Sequence, residues 1–140
     1  MAINVVWLDP ARTILCWQHE GVWDWDSYMQ AVQETEQALA VSHTRVDCVF
    51  EHCDSASVPP SIAAYVRGLL DSGLLEHPRM GRTVFVGDLA LTEVIRILGE
   101  RVYPQFAHRL RVASCLDGVF RALKSGARQL AAHRAAGSTN

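Results

Sequence analysis

The chain has 140 residues, 49% of them hydrophobic and 20% charged, with a formal net charge of −2. That length suits one substantial core rather than two ordinary domains, and the apolar share excludes a disordered chain. The near-neutral balance, with basic residues scattered along the sequence, leaves no electrostatic footprint for nucleic acid.

Ile3 to Leu8 and Thr13 to His19 are apolar runs rich in Val, Ile, Leu and Trp, separated by Asp9-Pro10-Ala11-Arg12. Asp-Pro starts a turn because the proline ring presets φ, so the opening reads as a β-hairpin. Alternation puts Leu15, Trp17 and His19 on one side and Ile14, Cys16 and Gln18 on the other. Trp7 and Trp17 flank the turn at similar distances and are expected as cross-strand neighbours.

The first helix opens at Trp23-Asp24-Trp25-Asp26, where Asp24 or Asp26 is placed to accept hydrogen bonds from orphan N–H groups. Tyr28, Val32, Thr35 and Leu39 form its buried stripe, with Met29 and Ala31 at the margins. Val46 to Glu51 alternates as a strand with one fully buried side. A Ser- and Pro-rich loop, Cys53 to Ser61, leads to a helix with Ile62, Tyr65, Val66, Leu69 and Leu70 at i, i+3, i+4, i+7 and i+8, expected to end near Leu75. Thr83 to Val86 is the next strand, and Leu91, Val94, Ile95, Leu98 and Val102 mark the third helix. Arg109 to Val112 is expected as an edge strand whose charges discourage further pairing. Leu116, Val119, Phe120 and Leu123 mark the last helix.

The order β-β-α-β-α-β-α-β-α specifies one α/β domain over residues 1–133 with a tail at 134–140. Parallel neighbours need crossovers whereas a hairpin needs only a turn, so the five-stranded sheet should be mostly parallel. Helices should lie mainly on one face. Val49, Phe85, Leu15 and Trp17 are then expected to form an apolar patch on the barer face, and with it a homodimer.

Four cysteines without a CxxC pair read as reduced core thiols. No stretch approaches the roughly eighteen apolar residues of a membrane span. A cytoplasmic location is expected.

Taken in order, the elements resemble a STAS domain, the module of bacterial anti-sigma factor antagonists and anion-transporter tails. The residues that carry the likeness are the hairpin ending Glu20-Gly21, the helix start Trp23-Asp24-Trp25-Asp26, and the passage Val49-Phe50-Glu51 through Pro60-Ser61. The resemblance implies a β-α superhelix and a non-enzymatic regulatory module whose partner is a kinase or an anti-sigma-type regulator. In the antagonists, the residue that the kinase phosphorylates opens the helix after the third strand. Ser61 holds that position here, at a helix start that favours phosphate. The family's usual Asp-x-Ser and Ser-Gly context is missing, so Ser61 also reads as a plain helix cap. Glu51, His52, Asp54 and Ser55 complete the expected partner surface.

Two other readings stand beside it. Trp17, Trp23 and Tyr65 could line a pocket for a small molecule or lipid. His52-Cys53-Asp54 could serve an enzyme at a strand's carboxyl end, where open α/β sheets place ligands. Cys48 to His52 spans roughly 13 Å at about 3.3 Å per residue, so this local spacing forms no metal cage. No phosphate loop, GxGxxG or nucleophile elbow occurs, and no cofactor is expected.

Overall fold

The computed structural model describes residues 3–20, 24–52, 62–102, 104, 110–121 and 123. Its five strands are β1 (Ile3–Trp7), β2 (Ile14–His19), β3 (Val46–Glu51), β4 (Met80–Val86) and β5 (Leu110–Ala113), arranged in sequential order in one sheet. β1 runs antiparallel to β2, and the remaining neighbours are parallel. The helices are α1 (Trp25–Val41), α2 (Ile62–Asp71) and α3 (Leu89–Arg101), with a 3-10 turn at Leu74–Glu76. A terminal helical segment covers residues 116–121 and 123. Each parallel crossover thus delivers the chain to the next strand in line, the expected α/β architecture.

The hairpin turn is closed by Asp9, whose carboxylate accepts the Thr13 N–H at 2.9 Å, the Ile14 N–H at 3.0 Å and the Thr13 hydroxyl. This clasp centres the turn so that Trp7 pairs with Leu15 and Val5 with Trp17. The expected Trp7–Trp17 pair is therefore off by two residues of register, which leaves the two on the same face as diagonal neighbours. At the start of α1, Asp24 accepts the Ser27 N–H at 2.8 Å as the N-cap. Tyr28, Ala31, Val32, Thr35 and Leu39 are the buried stripe, while Met29 turns out to solvent.

α2 stops earlier than its apolar spacing suggested. Gly73 adopts φ 75, a left-handed conformation open to glycine, and its N–H bonds back to the Leu70 carbonyl at 3.1 Å. Leu74 and Leu75 are still buried, through the separate 3-10 turn. β4 starts at Met80 rather than Thr83, next to a register irregularity between Val46 and Cys48. There Asp47 accepts the Arg82 N–H at 2.8 Å, occupying space that a side chain at Gly81 would need.

Alternation along the strands splits the core in two. Leu15, Trp17, Cys48, Phe50 and Phe85 lie with Tyr28, Val32, Leu39, Tyr65, Leu69 and Ile95 of α1–α3. Ile14, Cys16, Val49, Val84 and Val86 lie on the reverse with Val119 and Leu123 of the terminal segment. The apolar patch expected from Val49, Phe85, Leu15 and Trp17 therefore does not exist. The β3–β4 register sets Phe85 beside Phe50 rather than Val49, and all four side chains are buried.

Candidate functional site

The polar groups of the core converge at the carboxyl ends of β2 and β3. Gln18 pairs with Glu51, so His19 and His52 occupy the next rung, and alternation turns both toward the helices. Their rings stack at 3.8 Å between centroids with 29° between planes, and both residues are buried. The His52 N–H continues the ladder to the Val86 carbonyl at 2.7 Å.

The hydrogen-bond partners assign the His19 tautomer. Its Nδ1 lies 2.8 Å from the Glu51 carbonyl oxygen, which can only accept, so Nδ1 carries the proton. In the neutral ring Nε2 is then an acceptor, and the Tyr65 hydroxyl donates to it at 3.0 Å. Burial pushes the His19 pKa down to about 4, against the opposing pull of the Glu51 and Trp17 backbone, so the ring is neutral at pH 7. Burial also holds the Tyr65 hydroxyl far above its ordinary range, which keeps it a donor.

This chain continues into the helices. The Tyr28 hydroxyl donates to the Tyr65 carbonyl at 2.7 Å, joining α1 to α2. The contact requires Gly68, because a Cβ there would sit 2.7 Å from the Tyr28 oxygen. Trp17 Nε1 donates to the Thr35 hydroxyl at 2.7 Å, and that hydroxyl donates to the Ala31 carbonyl at 2.8 Å. Around these bonds Trp17, Tyr28, Phe50 and Tyr65 pack edge to face, with Trp17–Tyr28 centroids 5.7 Å apart and Tyr28–Tyr65 centroids 5.1 Å apart.

Of the residues singled out in the sequence, Trp17, Tyr65 and His52 come together in this cluster. Glu51 does not: its side chain is on the reverse face, where the Cys16 thiol donates to it at 3.7 Å. Trp23, Cys53, Asp54, Ser55 and Ser61 lie outside the described residues. Sequence reasoning passed over His19 and Tyr28. Alternation did place His19 on the Leu15–Trp17 side, and a histidine on the core side of a strand end was the signal to follow.

The arrangement fixes strand ends and helices to one another; His19 is neutral, and Tyr28 and Tyr65 are un-ionised. Among the described residues no group of three or more His, Cys, Asp or Glu side chains is placed to hold a metal ion. Cys16 and Cys48 face opposite sides of the sheet, and burial raises the Cys48 thiol pKa. A cavity of about 30 Å³ between α2, α3, β4 and β5, lined by Val66, Leu70, Phe85, Ile95 and Leu110, has room for little more than a water. Among the described residues no helix is long and apolar enough to cross a membrane. Comparison with known proteins returns no matching family model, no matching curated protein and no matching solved structure.

Proposed function

We propose that the protein is a non-enzymatic regulatory module of the STAS type, presenting the segment 51–61 and α2 to a protein partner. The observation that carries this reading is the bonded chain from the Glu51 carbonyl through His19 and Tyr65 to Tyr28. It engages the reactive groups of the cluster with one another, beneath the surface, and holds α2 against the ends of β2 and β3. A surface built on such a support keeps its shape, which favours recognition by lowering the ordering cost of binding. The hairpin-first sheet in sequential order supports the same reading, since it is the architecture the resemblance implies.

Ser61 opens α2 in this proposal as the site of a charge switch. Phosphorylation would add about −1.5 to −2 charges at a helix start, where free N–H groups favour an anion. Affinity capture from the native cell with the wild type, Ser61→Ala and Ser61→Asp tests it. A partner retained by wild type and Ser61→Ala but lost from Ser61→Asp is the expected result. Identical partner sets for all three leave Ser61 a helix cap. A small molecule or lipid retained in native mass spectrometry, with no protein partner captured, would favour a binding domain instead.

A further inference from the structure

We infer that the chain assembles head to tail, the amino end of the sheet in one copy docking on the carboxyl end of the next. The amino end carries a row of arginines. Arg45 and Arg79 immediately precede β3 and β4, and Arg12 lies two residues before β2. These strands are neighbours, and the bonds from Asp47 N–H to the Thr13 carbonyl at 2.8 Å and from Val46 N–H to the Arg79 carbonyl at 2.7 Å hold their starts level. Arg79 rests on the His43 carbonyl at 3.2 Å. Among the described residues Arg12 and Arg45 have no side-chain hydrogen bond or ion pair.

The acids at this end keep their charge but do not pair with the row. Asp9 is turned to the Thr13 and Ile14 N–H groups and Asp47 to the Arg82 N–H, Asp71 at the end of α2 pairs with Arg67 at 3.7 Å, and Glu76 is exposed in the 3-10 turn. Arg12 also sits at φ 58, a left-handed conformation in the hairpin turn, where its N–H bonds back to the Asp9 carbonyl at 3.2 Å. Beside it opens a groove of about 290 Å³ lined by Trp7, Arg12, Val41, Ser42 and His43. Val41 is 74% exposed there.

The opposite end supplies the complement. Glu20 follows β2, Asp24 and Asp26 flank the start of α1, and Asp88 follows β4; all four are exposed. Between the two α1 acids stands Trp25, 49% exposed, with Met29 one turn on at 50%. Trp25 meets Tyr28 edge to face at 5.0 Å, which orients the indole from below. An exposed tryptophan between two carboxylates suits an interface anchor, and arginine is its favoured counterpart through cation–π contact and ion pairing.

A second copy is the occupant these observations favour, because one chain carries both halves at opposite ends of its strands. The net charge of −2 gives little repulsion between copies, so the local complementarity decides. A contact between unlike ends is heterologous and repeats into a filament or a ring. This inference stands independently of the partner reading.

Sedimentation velocity of the full chain tests it, at low and high micromolar concentration and at low and high salt. Two double variants are needed: R12E/R45E at the amino end and W25A/D26K at the carboxyl end. Wild type should grow with concentration and shrink with salt, and each variant alone should associate at least about tenfold more weakly. An equimolar mixture of the two variants should form a two-chain species and nothing larger, since each keeps one intact end. Circular dichroism and melting of each variant establish that it is folded. A wild type that stays monomeric at low salt overturns the inference. So does a dimer indifferent to either variant, or a mixture of folded variants that does not pair.

Discussion

The two faces of the sheet are built on different principles. Beneath α1–α3, large rings meet edge to face and end in polar handles, each bonded to a partner on another element: Trp17 to Thr35, Tyr65 to His19, Tyr28 to the Tyr65 carbonyl. On the reverse, Ile14, Val49, Val84 and Val86 meet Val119 and Leu123 through aliphatic contact. Aliphatic burial is non-directional and tolerates sliding. A buried hydroxyl or imidazole without its partner costs about 1–3 kcal/mol, so the helical face admits one register. The face that orders the candidate site is the one whose buried rings make directional contacts, whereas on the reverse the bonds from the Cys16 thiol to Glu51 and from Arg82 to the Leu123 carbonyl run beside an aliphatic core.

The largest test of this contrast is Trp17→Ala, which removes a fully buried indole and leaves the Thr35 hydroxyl without its donor. Chemical denaturation should show a loss of about 3–5 kcal/mol. A loss near that of a single valine would erase the distinction between the faces.

Acid should act on the helical face through His19. His19 takes up a proton below pH 6.5 when unfolded but only near 4 when folded. Between these values the unfolded chain binds more protons, so this contribution is complete above pH 6.5 and is lost as the pH falls toward 4. About 3 kcal/mol is at stake over that window. Melting temperatures of wild type and His19→Gln across this range check it. Parallel profiles would place the acid sensitivity elsewhere.

A smaller effect is expected from Tyr65→Phe, which keeps the ring and deletes the donor to His19 Nε2. Stability should fall by about 1–3 kcal/mol, and the His19 proton-binding midpoint seen by NMR should move. An unchanged midpoint would break the proposed chain at its central bond.

The reverse face supplies the smallest effect. Val49→Ala removes two methyl groups from a buried site and should cost about 1.5 kcal/mol at roughly 0.8 kcal/mol each, with no change in the acid profile. A larger loss, or a shift in the His19 midpoint, would show that the two faces are coupled through β3.

Much of this architecture was legible before the structure. Asp9-Pro10 between two apolar runs marks a hairpin by local chemistry, and Asp24 ahead of the Tyr28–Val32–Thr35–Leu39 stripe marks a capped helix by spacing. Both signals act within a few residues. The errors arose where distant parts had to be brought into register. Trp7 was set against Trp17 because the Asp9 clasp, which centres the turn, depends on where one carboxylate points. Val49 and Phe85 were set on one face because the parallel register of β3 and β4 is not written in either strand.

The candidate site shows the same division. Trp17, His52 and Tyr65 were visible as residue types at suggestive positions, yet nothing local joins His19 to His52, which are separated by α1 and the whole of β3. Sequence by itself determined the succession of elements, the faces within each strand and the caps, because these follow from the preferences of neighbouring residues. Only the tertiary structure decided which rungs meet, which histidine nitrogen carries the proton and which rings cover Trp17. Those depend on inter-strand register and on contacts between helices, and a single packed arrangement sets them all together.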